Sequence, residues 1–229
     1  SSRSTCCLIS KTAFHAAVSV FNGSHLLSLK FTPMSSLTQV VCAYSPDSDD
    51  AFMFYAIATK KIRSNLVEFR HILSDIQTLN QKAREGEYDL TAVSYAAYPY
   101  IADKYRLMAA GSSIGDGYGP MVVTSRPSSL EDLKGKRIAI PGRMTSSYLA
   151  LKLLHPDFIP VDTHFDKILD VVKEGSVDAG LIIHEAQLTY AKSGFHNVVD
   201  LGRWFKEGYR VETDEGPGEE EPTGRGEGG

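Results

Sequence analysis

The sequence predicts an α/β protein made of two lobes with a ligand cleft between them. Short apolar runs typical of buried strands alternate with segments of helical length along most of the chain, which favours α/β units around parallel sheets. A glycine-rich run at residues 115–119 divides this pattern into two comparable halves. Polar residues follow several strands in both halves, at the edge where ligands commonly bind to open α/β sheets.

Composition narrows the classes of partner. The 229 residues are enough for one large domain or two small lobes, and the net charge of −4 gives no reason to expect nucleic acid. No apolar run reaches the roughly 18 residues that a membrane span needs. The three cysteines fit neither a disulfide framework nor a zinc motif and favour a reducing compartment. We therefore expect a cytoplasmic protein that binds neither nucleic acid nor membrane.

The two ends differ from the rest of the chain. Residues 1–39 contain only interrupted apolar runs and lack the ordered regions of a signal peptide, so we expect a poorly ordered extension. Met34, just before the strong pattern begins, is the expected natural start. Residues 209–229 are rich in glycine and glutamate and have almost no large apolar side chain, which predicts a disordered acidic tail.

The first lobe is expected at residues 40–114. Its elements in order are a strand at 40–44, a helix capped by Asp47 or Ser48, a strand at 66–73, a helix at 74–88, a strand running into a helix or turn at 89–103, and a last strand before the glycine run. Ser74 is the expected cap of the second helix, and Gly86 marks its end.

The second lobe is expected at residues 115–208. Its elements in order are a strand after the glycine run, a turn at 129–135, a strand at 136–142, a helix at 145–154, a strand at 161–165, a helix at 166–178, a strand at 179–183, a helix at 184–194 and a short strand at 197–202. Thr145 or Ser146 is the expected cap of its first helix.

Polar residues at strand-to-helix junctions mark the candidate site. They occur at 45–52, 93–98, 141–148 and 182–187. Each segment alone is explained by helix capping, but together they favour a polar cleft for a small anionic ligand. Tyr95, Tyr98 and Tyr100 either line this cleft or belong to the core.

His184 directly follows the apolar run LII and has three possible roles. It is a helix-start residue, a metal ligand or a general base, since a histidine in water titrates near pH 6.5. A zincin-like site is disfavoured because Leu188 stands where a second histidine would be needed. The chain also lacks the dinucleotide fingerprint, the Walker A motif and the G-x-S-x-G elbow. GDGYGP is more typical of a hinge or crossover than of a phosphate loop.

Between residues 40 and 204 the sequence resembles the 1,4-dihydroxy-6-naphthoate synthase family, which belongs to the futalosine route to menaquinone. The resemblance begins with the SP…DxFxFYA opening at 45–56. It continues through LSDIQTLN, EGEYDLTAVSYAAYPYIADKY, GDGYGP, GKRIAIPGRMT, DAGLIIHE and VVDLGRWF.

The resemblance implies a two-lobed, periplasmic-binding-protein-like (type 2) fold. It implies a carbon–carbon lyase that converts cyclic dehypoxanthine futalosine to 1,4-dihydroxy-6-naphthoate and dihydroxyacetone, with His184 as general base and with no cofactor or metal. The substrate is expected to be a small anionic molecule. The implied substrate-binding residues are Asp50, Ala92, Val93, Ser94, Thr145 and Ser146.

The chain departs from the family pattern in two places. Many members read SPCPNDTF where this chain has SPDSDDAF, which places aspartates at positions 47 and 49; some members have lysine where Ala92 stands. Members continue past VVDLG with helices that return to the first lobe, so the C-terminal part of that lobe is expected to be missing. Two other functions stay open: a non-catalytic solute-binding protein of the same fold, and the chorismate dehydratase of the same pathway, which GLIIHE fits poorly.

Overall fold

The computed structural model describes residues 6–11, 37–184 and 186–208, which form two lobes, each built on a five-stranded sheet. The first lobe contains strands β1 (Cys6–Lys11), β2 (Thr38–Tyr44), β3 (Val67–Leu73), β4 (Leu90–Ser94) and β5 (Tyr105–Ser113), with helices α1 (Ser48–Ala58) and α2 (Ile76–Glu85). A 3-10 helix at Tyr95–Tyr100 follows β4.

The first sheet has the strand order β3-β2-β4-β1-β5. Strand β2 pairs in parallel with β3 and β4, whereas β1 runs antiparallel to β4 and β5. The sheet is therefore mixed, whereas the alternation of strands and helices favoured parallel pairing. Residues 6–11, within the extension expected at 1–39, form the strand that joins β5 to the rest of the sheet.

Side-chain caps fix where the helices of the first lobe begin. Asp47 caps α1 by accepting a hydrogen bond from the Asp50 backbone N–H at 3.1 Å. Asp75, and not the expected Ser74, caps α2, because its carboxylate accepts from the Thr78 N–H at 3.0 Å. Gly86 ends α2 as expected, with a left-handed φ of 72° that glycine adopts without steric cost.

The second lobe contains strands β6 (Met121–Thr124), β7 (Arg137–Ile140), β8 (Ile159–Asp162), β9 (Ala179–Ile182) and β10 (His196–Asp200), with helices α3 (Ser146–Leu154), α4 (Ile168–Lys173), α5 (Ala186–Thr189) and α6 (Leu201–Gly208). Its sheet has the order β10-β6-β9-β7-β8 and is also mixed. Strand β7 is parallel to β8 and β9, and β6 is antiparallel to β9 and β10.

Two segments of the second lobe differ from the sequence prediction. The helix expected at 184–194 is reduced to α5, one turn long, and His184 at its expected start is not helical, since its φ of 59° is left-handed. Helix α6 takes up the segment around Trp204 for which no element was predicted. The expected acidic tail at 209–229 lies outside the described residues.

The lobes contact each other through both apolar and polar groups. Ile183, which follows β9, packs into the core of the first lobe with Leu79 and Tyr44. The buried Asn80 side chain of α2 donates to the Met144 carbonyl at 3.3 Å, and the Ala96 N–H donates to the Ser146 hydroxyl at 3.2 Å. These contacts hold the lobes closed over the space between them. No helix in the described ranges is long and apolar enough to cross a membrane.

Candidate functional site

A cavity of about 960 Å³ lies between the lobes, a volume typical of sites for small molecules. The first lobe contributes polar side chains from the ends of β2 and β4, and the second contributes them from the start of α3 and the segment after β9. The polar or charged residues of the wall include Ser45, Asp47, Ser94, Tyr95, Tyr100, Asp116, Tyr118, Thr145, Ser146, Ser147, His184, Gln187 and Lys206. All four strand-end segments that the sequence singled out contribute to the cavity, together with residues 114–120 and helix α6.

His184 reaches this cavity through an unusual backbone conformation. Strand β9 ends at Ile182, Ile183 is anchored in the core of the first lobe, and the chain then turns at His184 with a φ of 59°. A positive φ is uncommon for a residue other than glycine and is found most often where the surrounding structure enforces it. Here the turn sets the imidazole against the first lobe, where its Nδ1 lies 3.0 Å from Asp47 Oδ2.

Asp47 and His184 form a buried pair across the cleft. Their side chains are 9% and 5% exposed, and the ring of Phe165 packs edge-on against His184 with centroids 5.2 Å apart. Burial by itself raises the pKa of the Asp47 carboxyl, but the hydrogen bond and the charge of His184 outweigh it, so that the pKa lies below its ordinary value. Asp47 is therefore ionised, and its carboxylate accepts a hydrogen bond from Nδ1 of His184.

The carboxylate of Asp47 is itself held in place by its own lobe. The Ser45 hydroxyl donates to Oδ2 at 3.0 Å, and the Asp50 N–H donates to Oδ1 at 3.1 Å as the cap of α1. A helix N-terminus also favours a negative charge at this point. Asp47 therefore combines the capping role that the sequence suggested with an orienting contact to the histidine, which the sequence did not reveal.

Asp50 lies beneath the cavity wall and not in it. Its side chain is 1% exposed, and its Oδ2 accepts a hydrogen bond from the Ser45 N–H at 2.7 Å. Its other oxygen, Oδ1, is buried and has no hydrogen-bond partner among the described residues. Burial raises the pKa of Asp50 to about 7, and the charge of Asp47 adds to this shift, whereas the Ser45 N–H opposes it. Asp50 supports the loop that carries Ser45 and Asp47.

The other expected substrate-binding residues separate into two groups. Ser94, Thr145 and Ser146 line the cavity together with His184. Ala92 and Val93 do not line it, because β4 is the central, fully buried strand of its sheet and both side chains are 0% exposed. Substrate contact through these two side chains is therefore not supported by the structure.

The hydroxyl groups that line the cavity are already engaged in structural contacts. Ser94 is bonded by Asn80, whose amide donates to Oγ at 3.1 Å. The Thr145 hydroxyl donates to the Gly142 carbonyl at 2.7 Å and accepts from the Tyr148 N–H as the cap of α3. Ser146 accepts from the Ala96 N–H across the lobes. Each of these three oxygens is thus positioned before any ligand arrives.

Two departures from the family pattern have clear structural positions. Asp49 does not line the cavity; its carboxylate accepts a hydrogen bond from the Ser113 hydroxyl at 2.9 Å. Asp47, by contrast, is a wall residue in direct contact with His184. Within the described part of the chain, no cluster of three or more histidine, cysteine or acidic side chains could hold a metal ion.

Sequence comparisons show the family to which the chain belongs. A family model described as menaquinone biosynthesis matches residues 40–211. The chain is 44% identical over 164 residues to a 1,4-dihydroxy-6-naphthoate synthase of Thermus thermophilus, covering 72% of this chain and 59% of that protein. It is 37% identical over 170 residues to the synthase of Streptomyces coelicolor, with the same coverage. The chain thus spans about three-fifths of the length of these relatives.

Solved structures agree on the fold. A crystal structure of a protein from Archaeoglobus fulgidus is 49% identical with a TM-score of 0.71 and covers 76% of this chain and 64% of that one. The alkanesulfonate-binding protein of Xanthomonas axonopodis has a TM-score of 0.55 at 17% identity, covering 71% of this chain and 61% of that one, and so supports the fold alone. The type 2 binding-protein-like fold is thereby confirmed, and the chain belongs to the menaquinone-biosynthesis family that includes 1,4-dihydroxy-6-naphthoate synthase.

Proposed function

We propose that this protein is a carbon–carbon lyase that converts cyclic dehypoxanthine futalosine to 1,4-dihydroxy-6-naphthoate and dihydroxyacetone in the cytoplasm. The observation that carries the proposal is the buried Asp47–His184 pair in the wall of the cavity between the lobes. Family membership supports the product of the proposed reaction, since the two relatives from Thermus and Streptomyces are named as synthases of 1,4-dihydroxy-6-naphthoate.

The proposed step is removal of a substrate proton by Nε2 of His184. The electron pair left on the substrate by loss of this proton drives cleavage of the carbon–carbon bond, and the imidazolium returns the proton to the carbon that leaves with the electron pair of that bond. A positioned base is worth about 10²–10⁴ in rate. Asp47 holds Nδ1 at 3.0 Å and stabilises the imidazolium that forms when Nε2 takes up the proton. The closed lobes limit water around the base, which strengthens the interaction between the two charges.

The test is turnover of cyclic dehypoxanthine futalosine by the full chain and by His184→Gln. We expect kcat/KM to fall by about 10²–10⁴-fold, because glutamine cannot accept the proton. His196→Gln is the matched control, since His196 is exposed on β10 and is not part of the cavity wall. Equal rates for the full chain and His184→Gln would reject the assignment of the base. Tight binding of the substrate without any conversion would favour a solute-binding protein instead.

A further inference from the structure

Large apolar side chains form one part of the cavity wall. Leu149 and Leu153 of α3 and Phe205 of α6 face it, although each keeps about half of its surface exposed, between 47% and 53%. Large apolar side chains on a soluble protein are exposed together most often where a ligand or partner covers them. These three side chains therefore suit a flat apolar group, such as an aromatic ring system.

The charges of the wall divide into two pairs. Asp47 is paired with His184 inside the cleft, and Asp116 is paired with Lys206 at the solvent-facing rim, where Lys206 Nζ lies 2.8 Å from Asp116 Oδ1. Among the described residues of the wall, Lys206 is the only arginine or lysine. Any fixed positive charge that these residues offer to an anionic ligand thus comes from Lys206.

The backbone places Lys206 at this position. The segment 115–119 and the first turn of α6 approach so closely that a Cβ on Gly202 would overlap the carbonyl group of Tyr118. A Cβ on Gly119 would in turn lie 2.8 Å from the Gly202 nitrogen. This contact between backbones fixes α6 against the segment that carries Asp116, so the Lys206 ammonium and the apolar side chain of Phe205 lie on the same rim.

The ion pair between Asp116 and Lys206 is weak enough for another carboxylate to replace Asp116. Their side chains are 83% and 58% exposed. Exposed ion pairs contribute little to stability, because water and salt screen them and two long side chains must be ordered. The apolar wall would hold a ligand carboxylate close to the Lys206 ammonium. The resulting high local concentration would let this carboxylate compete with Asp116.

We propose that Lys206 binds the carboxylate of an aromatic acid whose ring lies against Leu149, Leu153 and Phe205. When the cavity is empty, Asp116 forms the ion pair with the Lys206 ammonium instead. This inference rests on the proposed function and deepens it, since a naphthoate product carries one aromatic carboxylate. It assigns Lys206 to substrate recognition and leaves the proton transfer to His184.

The experiment measures binding of 2-naphthoate and of its neutral analogue 2-naphthamide to the full chain by isothermal titration calorimetry. We expect Lys206→Gln to weaken 2-naphthoate about tenfold, because a charge-assisted hydrogen bond is lost, and to leave 2-naphthamide within about twofold. Asp116→Asn should strengthen 2-naphthoate a few-fold by removing the competitor. Lys134→Gln is the matched control, since Lys134 is an exposed lysine of the same lobe outside the cavity wall.

Several outcomes would overturn the inference. They are no preference of the full chain for 2-naphthoate over 2-naphthamide, no binding of either compound, or an equal effect of Lys206→Gln on both. Substrate turnover separates this inference from the proposed function. Turnover with an unchanged KM in Lys206→Gln would reject the carboxylate site and keep the lyase, whereas charge-selective binding without turnover would keep the site and reject the lyase.

Discussion

Replacing Asp50 with asparagine should remove most of the pH dependence of stability that this buried carboxyl introduces. Asp50 is 1% exposed, and burial raises its pKa from 3.8 to about 7. The folded protein therefore binds a proton on Asp50 between these values, whereas the unfolded chain has already released it. Because the folded state holds the extra proton, its stability falls as pH rises through this window and levels off above pH 7.

The size of the effect follows from the two pKa values. Between pH 5 and pH 8, ionisation of Asp50 should lower the free energy of unfolding by about 2–3 kcal/mol, mostly over the part of the range below pH 7. In Asp50→Asn this loss disappears, but an amide N–H replaces the unpartnered Oδ1, at a cost of about 1–2 kcal/mol. The variant should thus be less stable than the parent at pH 5 and at least equally stable at pH 8.

Urea unfolding of both proteins at pH 5, 6, 7 and 8 measures this difference, and pH effects of other groups cancel between them. Asp132→Asn is the control, because hydrogen bonds from Ser129 lower the pKa of this exposed carboxyl, so its effect should stay constant over the same range. Parallel stability curves for the parent and Asp50→Asn would refute the reasoning, since they would mean that Asp50 is ionised throughout.

Three further predictions concern the site and the contacts that form it. Asp47→Asn should lower kcat at least tenfold, because an amide N–H opposite Nδ1 favours the wrong histidine tautomer; steady-state kinetics with a retained unfolding midpoint checks this, and an unchanged kcat contradicts it. Asn80→Ala should lower the free energy of unfolding by about 2–3 kcal/mol, because the buried Ser94 N–H loses its acceptor. Gln81→Ala, on the exposed face of α2, should change it little, and equal unfolding free energies for the two variants would contradict this prediction. Gly202→Ala should destabilise the protein by about 2 kcal/mol or more, because the new Cβ would meet the backbone of Tyr118. The control is Gly208→Ala on the same helix, whose Cβ would meet nothing within 4 Å. Thermal unfolding of the two variants measures the difference, and similar midpoints would be evidence against the close contact.

The sequence predicted most of the elements because their signals are local. Apolar runs marked β2, β7 and β9. Capping chemistry left Asp47 or Ser48 as the cap of α1 and Thr145 or Ser146 as the cap of α3, and the structure has Asp47 and Thr145 in these positions. Strand direction was harder to predict. Antiparallel β1 and β6 are set by long-range pairing that no local pattern encodes, so both sheets are mixed although the alternation suggested parallel ones.

The candidate site was only partly predictable for a similar reason. His184 was identified from its position after a buried strand and from the family resemblance, but its left-handed backbone was not, since a non-glycine residue carries no sequence signal for a positive φ. Asp47 read as a helix cap, and its contact with His184 depends on how the lobes meet. Lys206 was missed because α6 was not expected; an amphipathic pattern at 201–208 is the signal that could have located it.

The Asp47–His184 pair belongs to both lobes, which ties its existence to domain closure. If the lobes separate by even a few ångströms, Nδ1 loses its acceptor, since a hydrogen bond does not extend much beyond its 3.0 Å. If His184 is the base of the proposed lyase, the pair would act as an interlock, because the imidazole would keep its orientation only while the lobes are together. Opening of the cleft and readiness for proton transfer would then exclude each other.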